Sequence, residues 1–373
     1  MAVAGAQYAF QTGLATGMSA TEGVHSPHPK PVDPALNQAA YILPEETPVE
    51  ATSRVTLKGA KEDVQVPYMC IGAWSWGDKA TFKYDREKDL PRLQAAWKKL
   101  QEAGLTFVDT AQEYGDGESE KICGSLFKGM PRDSFVIQTK WAAFPDLTNV
   151  LLQAQGPVKK LRQSLENLAL DHVDVYLVHG PIHINYIETV AQGLAECVHL
   201  GLAKTVGVAN YSKEEMVKMA DALAQHNVPL AVNQCEYSIL RRHPEIYGLI
   251  HECRQRGIVF QGYASLANGR LSGKYSRFNE PQRTYRFSSY PMHMLDPTLN
   301  VLKRIAEERQ VPMAAVALNF NINKGVIPVV GVRSPEQTEQ NIQALGWKLS
   351  QDEIRRIENV SLEGNTTVMW QHG

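Results

Sequence analysis

Apolar residues along this chain fall into two alternating patterns. Short runs such as Leu105–Val108 and Phe135–Ile137 read as buried strands. Between them lie longer segments with helical spacing, as in Leu93, Ala96, Trp97 and Leu100 of a helix that stops at Gly104. The pattern predicts strands at 69–73, 105–109, 134–139, 173–178, 203–208, 229–234, 257–262 and 326–330. It predicts helices at 89–103, 118–127, 157–169, 186–200, 212–225, 244–256, 298–309, 312–323, 335–344 and 350–360. Ser212, with Glu215 three residues on, forms a capping box that starts one of them. Ahead of the first unit, Arg54–Leu57 and Val64–Pro67 flank a Gly-Ala-Lys-Glu turn and read as a hairpin. One connection, 264–294, is long enough to break the rhythm and to fold over a ligand.

Strict strand–helix alternation implies a parallel sheet. Eight such units fit an α/β fold of the closed (β/α)8 type, a TIM barrel with an N-terminal hairpin and an extra C-terminal helix. The rival is a doubly wound open sheet, but no GxGxxG follows the first strand. The expected organisation is one barrel domain over 51–373, preceded by an extension over 1–50 that is flexible or wrapped on the surface. Ala, Gly, Ser, Thr and Pro dominate the extension, and Lys30 is the only Lys or Arg before Arg54. It lacks the Arg of a transit peptide and the basic and apolar regions of a secretory signal. The expected location is cytoplasmic, with organelle targeting by the extension left open.

Composition narrows the class. The 373 residues carry a formal net charge of −2, which gives no electrostatic footprint for nucleic acid or an anionic membrane. No apolar run is long enough to span a bilayer. Cys70, Cys123, Cys197, Cys235 and Cys253 are widely spaced without a CxxC pair, which argues against disulfides and structural zinc and for a reducing compartment.

A barrel of this kind gathers the loops after its strands on one face. In order, the strand ends offer Trp74 and Trp76, then Asp109 and Tyr114, Lys140 and Trp141, His179, Asn210, Gln234, Tyr263, and finally Gly331 and Arg333. A tyrosine acid has an ordinary pKa of about 10, too high to share a proton readily near neutrality. An ammonium at Lys140 would lower it, and Asp109 would keep that ammonium charged. His179 would hydrogen-bond a substrate oxygen from the other side. Such a group suits protonation of a carbonyl oxygen while hydride arrives from a cofactor. Trp74, Trp76 and Trp141, with Tyr114 and His179, are candidates to line the substrate mouth, which points to an aromatic or apolar carbonyl compound. His179 and His183 are four apart, but Pro181 lies between them and no Glu completes a ligand set, so no metal is expected.

From about Met69 to Leu362 the chain resembles the aldo-keto reductase superfamily. The likeness rests on VDTAQEYG, QTKW, YLVHGP, KTVGVANYS, NQCEYSILRR, GYASLANGRLSGKYS and VIPVVGVRSPEQTEQNIQALGW in this order. The series is closer to the long-chain fungal, plant and bacterial branch than to the mammalian steroid-type branch. The resemblance implies a catalytic tetrad of Asp109, Tyr114, Lys140 and His179, with Tyr114 as general acid/base. It implies NADPH lying extended across the mouth without a Rossmann fold. Asn210 and Gln234 would hold the carboxamide and Tyr263 would stack on the nicotinamide, and Gly72, Ala73, Trp74 and Asp109 would also bind the cofactor. Leu266, Gly269, Arg270, Gly273 and Lys274 would close over the pyrophosphate, and Gly331, Val332, Arg333, Gln337 and Asn341 would take the adenosine end.

Arg333 precedes a predicted helix, so a 2′-phosphate would meet a guanidinium and a helix N-terminus, which favours NADP over NAD. Two departures bear on cofactor geometry: Ala209 stands where the family usually has Ser, and Ala264-Ser265 replaces its Ser-Pro. The expected function is reversible NADPH-dependent reduction of an aldehyde or ketone by a monomer or small homo-oligomer. The alternative is an NADP-binding regulatory or scaffold subunit that docks through its extension.

Overall fold

Eight parallel strands close on themselves in chain order, with the last returning to pair with the first. The structure is a computed structural model that describes residues 30–37, 43, 48–143, 152–281, 290–366 and 371–373. The barrel strands are β3 Cys70–Gly72, β4 Phe107–Asp109, β5 Val136–Trp141, β6 Val173–Val178, β7 Ala203–Ala209, β8 Leu230–Glu236, β9 Val259–Tyr263 and β10 Ile327–Gly331. Closure is made by Val329 opposite Cys70 and Gly331 opposite Gly72. The predicted hairpin is β1 Arg54–Leu57 paired antiparallel with β2 Val64–Pro67. Its Leu57, Val64 and Val66 share an apolar cluster with Phe107, Val175, Leu177 and Val232 of the barrel. Thr205, near the start of β7, donates to the Lys58 carbonyl at 2.6 Å, so the hairpin covers the N-terminal end and leaves the other end for chemistry.

The helices form for ordinary reasons. Asp85 caps Arg86–Glu102 by accepting the Glu87 and Lys88 amides, and Leu93, Ala96, Trp97 and Leu100 are its buried stripe. Ser212 and Glu215 make the expected box at the head of Lys213–Ala224. Two expectations shift. The segment predicted as one helix over 244–256 is two, His243–Ile246 and Leu249–Gln255, because Gly248 sits between them at φ 80°. Strand β5 runs on through Lys140 and Trp141, placing both in the barrel wall rather than past it.

A second apolar cluster packs Leu271, Met292 and Leu295 against the helices Asp296–Arg309, Met313–Asn323 and Gln351–Glu358. A buried ionic group lies nearby. Arg242 meets Glu245 through two N–H groups, at 2.7 and 2.8 Å. Lys324 lies 2.9 Å from Glu245 and also bonds Glu358, and the Tyr237 hydroxyl donates to Glu245 at 2.7 Å.

Pro31 bridges Leu362, and Lys30 pairs with Glu363 at 2.6 Å, so this part of the leading segment lies along the barrel domain. The expectations for 1–29 and for 282–289 of the long connection fall outside the described residues. Among the described residues no helix is long and apolar enough to cross a membrane. All five cysteines are buried free thiols.

Candidate active site

Asp109 ends β4 and Lys140 lies in β5, both fully inside the protein. The Lys140 ammonium donates to Asp109 Oδ2 at 2.6 Å, to the Thr110 carbonyl at 2.9 Å and to the Tyr114 hydroxyl at 3.2 Å. Burial works against this ammonium. The Asp109 carboxylate and the Tyr114 oxygen outweigh it, so its pKa is raised and the charge is held. The other Asp109 oxygen accepts from Gln138 at 2.6 Å and from Gln234 at 3.1 Å. Both amides also donate to Gln261 Oε1, at 2.9 and 2.8 Å. A buried carboxylate so fully bonded is a fixed anchor.

Tyr114 opens the turn Tyr114–Gly117, in which Gly115, Asp116 and Gly117 all have positive φ. Gly115 is required there: a Cβ on it would lie 2.8 Å from the Gly77 carbonyl carbon. Gly77 is itself hemmed in, since its own Cβ would stand 2.7 Å from Glu118 Cγ. The loops after β3 and β4 therefore touch backbone to backbone, and this contact sets where the phenol points. The expected lowering of its pKa is not what results. Burial pushes the Tyr114 phenol up, Lys140 pulls it down, Asp109 pushes it up again, and the net shift is upward from 10.

His179 follows β6 directly, with Nε2 3.5 Å from the Tyr114 hydroxyl. Its Nδ1 is 3.1 Å from Glu113 Oε2, and Glu113 Oε1 accepts the Ala142 amide at 2.9 Å. Burial lowers the His179 pKa despite Glu113, so the ring is neutral near pH 7. Burial raises the Glu113 pKa less than His179 and the Ala142 amide lower it, so that group is a carboxylate. A carboxylate requires a donor, which assigns the imidazole proton to Nδ1 and leaves Nε2 facing Tyr114 as an acceptor. Because Glu113 raises the His179 pKa, Glu113→Gln is expected to lower the imidazole titration midpoint, followed by NMR of the ring carbons; an unchanged midpoint would show the pair is not coupled.

These groups stand at one end of a cavity of about 720 Å³. Its wall holds Gly72, Trp74, Asp109, Tyr114, His179, Asn210, Gln234, Tyr263, Leu266, Gly269, Gly273, Lys274, Gly331, Arg333, Gln337 and Asn341. Asn210 has φ 64°, a conformation Asn tolerates well. Its Nδ2 donates to the His179 carbonyl at 3.0 Å and its Oδ1 accepts from the Tyr263 hydroxyl at 2.7 Å. Gln234 reaches the wall, but its amide N–H groups already serve Asp109 and Gln261.

Other candidates lie elsewhere. Trp76 is buried behind the wall, its indole N–H donating to the Val332 carbonyl at 2.7 Å, and Val332 is buried with it. Trp141 is likewise core: an extended β5 turns it away from the mouth. Ala73 is buried, its amide spent on the Asp109 carbonyl. Arg270 points inward under the long connection, toward the Tyr290 and Ala267 carbonyls, so its guanidinium does not face the cavity. His183 bonds the Tyr211 hydroxyl and the Asn185 carbonyl. Of the expected tryptophans only Trp74 lines the cavity, its ring 5.0 Å from Phe82 and 6.3 Å from Tyr114.

Glu113, Gln138, Gln261 and Phe82 are among the residues that strand-end reasoning passed over. For the two glutamines the signal was present, as amides inside otherwise apolar strands. For Phe82 there was none, since it comes to the cavity by loop folding.

Comparison with known proteins gives a consistent picture. Residues 68–362 match the model of the Aldo/keto reductase family. The chain is 33% identical over 314 residues to the chloroplastic pyridoxal reductase of Arabidopsis thaliana, covering 80% of this chain and 84% of that one. It is 27% identical over 330 residues to the L-glyceraldehyde 3-phosphate reductase of Escherichia coli K12, covering 83% and 93% respectively. Among solved structures, an aldo-keto reductase of Klebsiella pneumoniae in complex with NADPH superposes with a TM-score of 0.63 at 23% identity, over 83% of this chain and 96% of that one.

Proposed function

Since the chain belongs to the aldo/keto reductase family, we propose that it reduces an aldehyde or ketone with NADPH and that Tyr114 delivers the proton. The observation that carries this reading is the buried Asp109–Lys140–Tyr114 chain, whose phenol end opens on the cavity. The residues present suit the nucleotide. Asn341 lies on the cavity wall with a buried amide nitrogen that has no partner among the described residues, as an adenine acceptor would require. Arg333 stands at the same end for a phosphate. NADPH would be held by these groups and by Asn210 and Tyr263 at the other end, and it supplies hydride to the carbonyl carbon.

Tyr114 would donate its O–H to the carbonyl oxygen. The resulting phenolate would be met by the Lys140 ammonium, which Asp109 keeps charged, so the charge develops against a fixed cation rather than water. Trp74 would flank the carbonyl, whereas His179, expected to hydrogen-bond its oxygen, would only shape the site beside Tyr114, because Nε2 is an acceptor. The relatives' names place pyridoxal and L-glyceraldehyde 3-phosphate, both aldehydes, first on a substrate panel. Trp74 and Phe82 favour the aromatic one.

A phenol whose pKa lies above 10 is protonated throughout the neutral range. Carbonyl reduction should therefore be level with pH near neutrality and fall as pH rises through that pKa, while alcohol oxidation rises. Lys140 pulls the pKa down, so Lys140→Met should move the alkaline limb to higher pH. The test is NADPH oxidation followed against the panel across pH. Tight NADPH binding without turnover on any carbonyl would overturn the reductase reading in favour of a nucleotide-binding subunit.

A further inference from the structure

The adenosine end of the cavity adjoins a second recess of about 300 Å³ that the mechanism above leaves unused. Lys88, Asp89 and Arg92 of the helix Arg86–Glu102 form one side, and Arg333, Ser334 and Gln337 form the other. Arg333 and Gln337 also line the main cavity, so the two spaces share a wall. Across the recess Asp89 Oδ2 stands 3.6 Å from Arg333 Nη2. The other two cations are paired as well, Arg92 with Glu336 and Lys88 with Asp85, each at 3.2 Å.

We propose that Asp89 is a specificity-determining residue that holds down the preference for NADPH over NADH by competing with the 2′-phosphate for Arg333. This rests on the NADPH reading above. A 2′-phosphate bears a charge of about −2 and must approach the guanidinium that Asp89 already engages. A 2′-hydroxyl brings no such conflict, and a carboxylate is a good acceptor for it. Dinucleotide sites commonly carry an acidic residue for the hydroxyl or an arginine for the phosphate. This chain places one of each in contact. Asp89 is one-fifth exposed and Arg333 about one-third, so water screens the repulsion and its effect is moderate.

The same carboxylate also accepts the Asp85 amide at 2.8 Å at the start of its helix, and capping is the rival explanation for its presence. Asp89→Asn separates the two, because the Asn carbonyl still accepts that amide while the charge is gone. Dissociation constants for NADPH and NADH are measured on the full chain by quenching of tryptophan fluorescence. The variant should raise the NADPH/NADH affinity ratio roughly tenfold, and the gain should shrink as salt is added. In an Arg333→Ala background the same change should raise the ratio clearly less than in the parent, because the competition for the guanidinium is gone, and an equal gain in both backgrounds would overturn the proposal. A ratio unchanged by Asp89→Asn, or two constants that move together as capping would produce, overturns the proposal alone. A wild-type chain that binds neither nucleotide overturns it together with the reading beneath it.

Discussion

Tyr114→Phe is expected to slow carbonyl reduction about a hundred- to ten-thousand-fold in kcat, the usual worth of a positioned proton donor. Phe keeps the ring, its 6.3 Å contact with Trp74 and the turn that presents it. What goes is the hydroxyl, and with it the one acidic proton that Lys140 supports inside the cavity. His179 is a poor substitute. Its pKa is lowered by burial, and its Nε2 carries no proton when Nδ1 is bonded to Glu113. Binding of NADPH should persist, because the groups assigned to it lie just after β7, on β9 and in the segment after β10. The measurement is single-turnover reduction under saturating NADPH, with the melting temperature checked in parallel. A rate near that of the parent would remove Tyr114 from the role of acid.

The second large effect concerns stability. Glu245→Ala should cost roughly 3–5 kcal/mol, because it leaves Arg242 and Lys324 buried with Glu358 as their remaining carboxylate partner. Burial alone would raise the Glu245 pKa, but Arg242 and Lys324 bring it down from 4.5 to about 2. A carboxylate with a depressed folded pKa contributes stability that is complete above its unfolded value and is lost as pH falls through the folded one. Acid destabilisation from this group therefore spans about pH 4.5 down to about 2. Urea unfolding of the parent and of Glu245→Gln, repeated at pH 7 and pH 3, tests it. The difference between the two proteins should narrow at the lower pH. A constant difference would mean that the carboxylate charge is not what the network uses.

The barrel was legible because its strands are buried on both faces and separated by helices with clear stripes and caps, as at Ser212. Asp109, Tyr114, Lys140 and His179 were legible for a related reason: strand ends in such a barrel converge on one face, so position along the strand is nearly position in the site. That rule weakens where a strand ends later than its apolar run suggests. Lys140 and Trp141 lie within β5, and there alternation sends one side chain to the mouth and the next into the core. Trp76 and Arg270 were misplaced because loop geometry, not strand order, decides which way they face. The depressed phenol pKa failed as an expectation because it weighed the nearby ammonium and not the burial that brings it near. Glu113 is adjacent to Tyr114 in sequence, yet its bond to His179 crosses between two loops, and no local pattern announces such a contact.

The close approach of Gly77 and Gly115 bears on how such a protein can change over time. The loop after β3 carries Trp74, a natural place for variation that alters what substrate is accepted. The same loop is the template against which the acid is cast. Selection for a new substrate is therefore free to explore side chains around Trp74 and Phe82, but at Gly77 even a methyl group meets Glu118, the residue that follows the donor's turn. Libraries that randomise this loop should return functional clones with glycine retained at Gly77, while Trp74 drifts.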